Sequence, residues 1–393
     1  MKFLTLLIIS FLFILPKVYS IQLSDKAQIS LLTCASGDEI YSYFGHSAVR
    51  IKDPLLGIDY VYNYGIFSFD APNFIWRFSK GETDYLLLGE RMDSFMDSYH
   101  EEQRSVYEQV LDITQPEKQS LFDALVENAK KENRVYRYRH FSDNCSTRVR
   151  DQLEKCVNHQ LEYDTSKDTK LTFRQLVDLC VPGNSWNGFG IKLALGIPAD
   201  KVTTYAEKMY LPEFLSNDMA QASIKRDGAA VPFVKPRTTI YEAPTVKTGF
   251  SFTSPAVVVN LLLIVVASLT FLEFKRKKRM IALDFWVFFS FGIAGLLLSF
   301  LCFVSVSEAT GWNLNLTWAL PTHFIFAFLW LFPSLRLKLT WYLKLTAGIV
   351  LLFLVSMLFL PQTFHWLVLP ICLTMLLRTG GSLVPKLASS LGR

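Results

Sequence analysis

Two short segments of this 393-residue chain carry residue types suited to nucleophilic chemistry. In the stretch 140–148, Asp143 and Asn144 immediately precede Cys145. Asp and Asn are helix-capping residues, so Cys145 is expected in the first turn of a helix. Unpaired N–H groups and the positive end of the helix dipole favour a thiolate there. In the stretch 37–51, His46 follows Gly45 and opens a β-favouring run. A thiolate is a nucleophile, and an imidazole is the usual base that activates it. Taken singly, each residue has a plainer reading. A Cys at a helix start is often a small buried residue or half of a disulfide, and a His at a strand end is often a polar surface residue. The two lie about 100 residues apart, so spacing alone does not bring them together.

The elements that must position them read as an α+β domain. Residues 46–51, 60–64 and 106–113 are rich in strand formers. Thr114 to Glu117 forms a capping box with an early Pro116. It opens a helix with Leu121, Phe122, Leu125, Val126 and Ala129 on one face. Residues 134–141 are expected to return as a strand, and a second helix runs over 145–157. Thr172 with Gln175 opens a third. Residues 181–250, rich in Pro and Gly, are expected to wrap this domain and lead down to a membrane.

The membrane enters through composition. Hydrophobic residues make up 51% and charged residues 19%, against about 25% charge in soluble domains. Disordered, collagen-like and small disulfide-bonded classes are thereby excluded. Residues 1–20 carry Lys2, an apolar run and a neutral end, the pattern of a secretory signal. Apolar stretches near 255–274, 283–306, 316–332, 343–360 and 365–377 are expected to span the membrane. Lys275 to Arg279 follow the first, Arg336, Lys338 and Lys344 the third, and Arg378, Lys386 and Arg393 the fifth. Positive charge marks the cytoplasmic side, so the domain before the spans lies outside. Three parts result: a signal peptide at 1–20, an exported domain at 21–250 and an all-α five-helix transmembrane domain at 251–393. Beside an apolar segment, the basic cluster reads as a topology signal, and no nucleic acid is expected as a partner.

Of six cysteines, Cys34, Cys145, Cys156 and Cys180 fall in the exported part, where disulfides persist. A Cys156–Cys180 bridge is one option and leaves Cys34 free near His46. Pairing of Cys34 with Cys145 would remove the nucleophile. No metal-ligand spacing is present, so neither a metal nor another cofactor is expected. Arg50 and Arg148 flank the two chemical segments and read either as salt-bridge formers or as contacts for a phospholipid phosphate.

Strand-borne His before helix-borne Cys, as FGHSAVRI and then FSDNCSTR, resembles the circularly permuted papain-like thiol enzymes. With TCASGDEIYSYFGHSAVRI, YVYNYGIFSF and the five C-terminal stretches, nearly the whole chain resembles the Bacteroidota lipoprotein N-acyltransferase (Lnb) family. Asn313-Leu314-Asn315-Leu316 is similar to that family's N-x-N-L element. The resemblance implies a multi-pass inner-membrane enzyme with its catalytic domain in the periplasm. It would N-acylate the N-terminal diacylglyceryl-cysteine of lipoproteins, with phospholipid as acyl donor and Cys145 carrying the acyl group as a thioester. On this reading His46 moves protons and Asn63 orients His46, in the manner of a Cys-His-Asn arrangement. The Cys145 N–H and the Asn144 side chain hold the oxyanion, with Tyr41 nearby. Asn313 and Asn315 contact substrate at the membrane surface. The same Cys–His pair would serve a membrane-tethered cysteine peptidase or amidase acting on cell-wall peptides. A peptidase needs one anchor, whereas five spans suit a lipid-derived substrate. A third class, a scaffold or sensor with a structural Cys145, has no use for the pair.

Overall fold

Seven short strands with apolar residues on both faces build the first half of the protein. A computed structural model describes residues 21–67, 70, 72–244 and 251–381. The signal peptide expected at 1–20 lies outside the described residues. The strands are β1 (Gln28–Cys34), β2 (His46–Asp53), β3 (Ile58–Ile66), β4 (Asp84–Arg91), β5 (Val106–Val110), β6 (Val135–Arg137) and, after β7 (Leu161–Glu162), β8 (Ser223–Arg226) and β9 (Ala229–Pro232) of a small second sheet, β10 (Thr238–Tyr241). Their order is β10-β5-β1-β2-β3-β4-β6, and every pairing is antiparallel.

Helices cover both faces of this sheet. The first helices in chain order are α1 (Phe74–Lys80), α2 (Met92–Glu101), α3 (Gln115–Ala129) and α4 (Cys145–Cys156). Ile29, Leu31, Val49, Ile51 and Leu87 pack with Leu121, Phe122 and Leu125 of α3 and Val149 and Leu153 of α4. Leu32, Cys34, Ala48 and Val61 face the other way, onto Met92, Phe95, Met96 and Tyr99 of α2. The alternation follows from the two-residue period of a strand. Because both faces are covered, β1 has six successive buried residues and shows no apolar–polar alternation. It was therefore not foreseen, nor were β4 and α2.

The expected 134–141 strand shrinks to the three residues of β6. The stretch 181–250 is not a simple wrap. After α5 (Phe173–Cys180) it folds into α6 (Trp186–Ala194), α7 (Tyr205–Lys208), α8 (Pro212–Gln221) and the strands β8 to β10. Thr172 caps α5 and Ser185 caps α6, each through its hydroxyl. Tyr43, Phe141, Phe173, Leu176, Tyr210 and Ala309 form a core of their own in this region.

The second half is helical: α9 (Pro255–Arg276), α10 (Ile281–Phe303), α11 (Thr322–Leu329), α12 (Pro333–Ser356) and α13 (Val368–Gly380). Three of these, α9, α10 and α12, are long and apolar enough to cross a membrane. The expected third stretch instead comprises a 3-10 turn at Leu314–Thr317 and the eight residues of α11, and the fifth becomes the 13 residues of α13. The fourth begins ten residues earlier than expected, because Pro333 starts α12 and takes Arg336 and Lys338 into its first turns. At the end away from the sheet, buried Arg378 meets Glu273 at 2.8 Å and Asp284 at 2.8 Å, and Arg279 meets Asp284 at 2.7 Å. Each charge is paired, as burial demands.

The halves are joined by specific contacts. Asn313 Nδ2 donates to Leu193 O and Ala194 O at 2.8 and 3.0 Å. Glu308 accepts from Phe141 N at 3.1 Å and from the Ser142 hydroxyl. Val306 N donates to Lys80 O at 2.8 Å.

Candidate active site

His46 opens β2 at a sharp entry that only glycine permits. Gly45 has φ +74°, and a Cβ there would lie 2.7 Å from Cys34 O. Opposite β2, α4 starts at Cys145. Its cap is unusually complete: Asn144 Oδ1 accepts from Ser146 N and Thr147 N, both at 3.0 Å, and Thr147 Oγ1 accepts from Asn144 N at 2.8 Å. A buried hydrogen bond of 2.9 Å between Ser47 Oγ and Ser146 Oγ ties α4 to β2 one residue along from each chemical group. The third element is β3, where the register with β4 shifts between Asn63 and Ile66. Gly65 sits in that irregularity with φ +91°. A Cβ there would lie 3.6 Å from Cys145 Cβ and 3.7 Å from His46 Cε1. The glycine leaves room beside both groups.

These elements bring His46, Cys145 and Asn63 into one site. Asn63 Oδ1 accepts from His46 Nε2, which leaves Nδ1 as the nitrogen to exchange a proton with the thiol. Asn63 is held in turn by its Nδ2, which donates to Glu90 Oε1 at 3.2 Å. Burial pushes the Cys145 thiol up, but the adjoining His46 cation, a hydrogen bond to it, the Ser47 N–H and the Ser146 hydroxyl outweigh burial and hold the thiol below its usual range. Burial likewise lowers His46, yet the facing thiolate and the Asn63 carbonyl carry it above the usual value. Both shifts favour the thiolate–imidazolium form of the pair. The other cysteines of this half behave oppositely. Burial pushes Cys34 and Cys156 up to about 12 and Cys180 up to about 11. All are free thiols, and the suggested Cys156–Cys180 bridge is not formed. Cys156, the last residue of α4, lies in the sheet core, and Cys180, the last residue of α5, packs against another cluster.

The pair lines a cleft of about 340 Å³ whose other walls include Tyr41, Phe44, Gly65, Phe67, Phe78, Tyr85, Tyr138 and His140. Tyr41 is on its rim, exposed and edge-on to Phe67 at 6.1 Å. Sequence reasoning did not single out Gly65, Glu90 or His140. A glycine inside the strand-like run YVYNYGI was a usable signal for Gly65. Desolvation of the half-buried His140 ring lowers it to about 4, so it is neutral.

The remaining expected site residues are engaged elsewhere. Both hydrogens of Asn144 Nδ2 are spent on His140 O at 3.0 Å and Tyr210 O at 2.8 Å, so the side chain has none for an oxyanion. The Cys145 N–H, at the open helix end, has no acceptor among the described residues. Arg50 forks onto Asp59 at 2.7 Å and reaches Glu108 at 3.2 Å, tying three strands together. Arg148 forks onto Asp143 at 2.6 and 2.8 Å and lies 3.7 Å over the Tyr136 ring. Neither lines the cleft, and a guanidinium already matched to a carboxylate is not placed for a phosphate. Asn313 and Asn315 are buried. Besides its bonds to α6, Asn313 Oδ1 accepts from Asn315 N, while Asn315 donates to Leu193 O and accepts from Trp318 Nε1. They dock the membrane loop on α6 and do not reach the cleft.

The family model of the Lnb N-terminal periplasmic domain matches residues 19–178, and that of the Lnb transmembrane domain matches residues 247–388. No curated protein and no solved structure matches the chain. The two matches follow each other in chain order and between them contain the Cys–His pair, all of the cleft wall except Tyr210 and Pro212, and all five C-terminal helices. The chain belongs to the Lnb family, with a periplasmic N-terminal domain joined to a transmembrane domain in a membrane enzyme that modifies lipoproteins.

Proposed function

We propose that the protein is an inner-membrane lipoprotein N-acyltransferase working through a thioester on Cys145. The observation that carries this reading is the placing of Cys145, at the start of α4, in one cleft with His46, whose Nε2 is bonded to Asn63 Oδ1. The Cys145 thiolate attacks the ester carbonyl of a phospholipid. As the ester C–O bond breaks, the His46 imidazolium gives its proton to the departing lysolipid oxygen. Cys145 then carries the acyl group as a thioester, and His46 is neutral. The α-amine of a diacylglyceryl-cysteine attacks next. His46 takes the amine proton, the C–S bond breaks, and the amide leaves a thiolate facing an imidazolium, as at the start. The oxyanion of each tetrahedral intermediate is held by the Cys145 N–H at the start of α4, where the helix dipole adds to the effect. Tyr41 sits on the rim as a substrate contact.

The exported domain, on this reading, is a permuted papain-like unit, with the His strand before the Cys helix. The shorter segments 314–329 and Val368–Gly380 cross with the three long helices to make five spans. Alternation of Lys and Arg between the connecting loops supports that topology.

Mass spectrometry of lipoprotein N-termini from cells with and without the protein tests the function. Triacylated N-termini should need the wild-type chain, and Cys145→Ala and His46→Ala should each give the diacylated form at normal protein levels. Full triacylation by Cys145→Ala would end the thioester mechanism.

A further inference from the structure

Helix α1 has no buried residue. Ile75 is 80% exposed, Trp76 57% and Phe78 50%. Leaving water is favourable for each of these side chains, so three together on two turns of helix mark a contact surface. The cations of the same helix are already satisfied. Arg77 meets Asp84 at 2.6 Å, and Lys80 meets Glu82 at 2.9 Å.

The neighbours of α1 tell what covers it. The Trp76 ring lies 5.3 Å from the Phe300 ring, in the last turn of the membrane-crossing helix α10. Just beyond that helix, Val306 N bonds to Lys80 O. The Gly81 turn that ends α1 packs on the same loop, with Val306 Cγ2 and Ser307 N within 3.4 Å of where a Cβ would stand. Phe303, Val304 and Val306 are exposed beside it. The apolar face of α1 thus continues the lipid-facing surface of α10 at its periplasmic end. Aromatic side chains settle at that depth, between hydrocarbon and water.

From this face, aromatic rings lead inward. Phe78 stacks on Phe74 at 5.7 Å, and Phe74 on Phe67 at 5.6 Å. Phe67 meets Tyr85 at 5.1 Å, and Tyr85 stacks on Tyr138 at 4.2 Å. Phe78, Phe67, Tyr85 and Tyr138 line the same cleft as Cys145.

We propose that α1 is an interfacial helix seated in the outer leaflet, and that the apolar wall from Phe78 to Tyr138 takes an acyl chain of a bilayer phospholipid, delivering the donor to Cys145 from the membrane. The use made of the chain at Cys145 rests on the acyl-transfer reading; the seat of α1 in lipid does not.

The test uses the full chain in phospholipid nanodiscs, with and without lipids brominated near the carbonyl end of their chains. The fluorescence of Trp76 is the difference between wild type and Trp76→Phe. It should be quenched in the brominated discs, and an unquenched Trp76 signal would overturn the seating. Acyl loading of Cys145, read from the intact mass, is then compared for bilayer phospholipid and for a monomeric short-chain phospholipid. In the Ile75→Gln, Trp76→Gln double variant the bilayer-to-monomer ratio should fall about tenfold, as loss of apolar contact with the interface implies. An unchanged ratio would overturn the access route. A wild type that loads no acyl group from either donor would sink the acyl-transfer reading, and the quenching result would still decide the seat of α1.

Discussion

Replacing Asn63 by Ala removes the single side-chain acceptor on His46 Nε2 while leaving thiol and imidazole in place. His46 is half-buried in the cleft wall, so its Nε2–H would lose its partner facing into β3. A buried donor left without an acceptor costs about 1–3 kcal/mol, which corresponds to a roughly 5- to 150-fold fall in kcat/KM if the cost falls on the transition state. The low end applies if a water enters beside Gly65. The sign of the pH effect follows from the geometry. The Asn63 carbonyl favours the imidazolium, so its loss lowers His46 and draws the alkaline limb of the rate profile to lower pH. A less stable cation supports the thiolate less, so Cys145 rises and the acid limb moves to higher pH. Both limbs should shift in these directions, so the profile should narrow from both sides. Glu90→Gln keeps an acceptor for Asn63 Nδ2 at a partly solvated position, and it should cost no more than about fivefold. The assay is transfer from phospholipid to a diacylated lipopeptide across a pH series in detergent or nanodiscs. An Asn63→Ala enzyme with wild-type kcat/KM and unmoved limbs would show that His46 needs no such partner and would refute the reasoning.

Gly65→Ala places a methyl beside Cys145 and His46 at a backbone of φ +91°. The strain should cost about 1–3 kcal/mol, seen as a lower thermal midpoint, and transfer should fall further than that loss explains. Iodoacetamide at neutral pH should alkylate Cys145 well before Cys34, Cys156 or Cys180, because Cys145 alone among them is held below the usual thiol range. Peptide mapping that finds equal rates would contradict the thiolate–imidazolium pair. Asn313→Ala leaves Ala194 O without its donor and Leu193 O with only that of Asn315, and should cost about 1–3 kcal/mol of stability. A detergent-solubilised variant that melts like wild type would show that the loop is not docked through that amide.

Several parts of the protein were legible from local rules. The Thr114, Thr172 and Asn144 caps start helices within a residue of where they were expected, because capping depends on a few neighbouring groups. The same rule puts Cys145 at a helix N-terminus. The division into an exported domain and an apolar helical half follows from composition. By contrast β1 was invisible, since a strand covered on both faces has no alternation to read. Segment lengths in the membrane half were misjudged where Pro321 and Pro333 break the apolar runs and reset the helix starts.

Local sequence was enough for the kind of group at each place: a nucleophile at a helix start, a His at a strand start, amides and guanidinium groups near both, and lipid-compatible helices after them. Which of those groups are free to act was decided only by tertiary structure. Asn144, Arg50 and Asn313 had the right chemistry for substrate contacts. Yet Tyr210 O, Glu108 and Leu193 O, at sequence separations of 66, 58 and 120, use up their hydrogen bonds. Asn63, in contrast, meets His46 because β2 and β3 pair in one register and bulge at Gly65. Helix caps and apolar periodicity are local properties of the chain. Satisfaction of a buried hydrogen-bonding group is settled by whichever distant backbone or carboxylate the fold brings beside it.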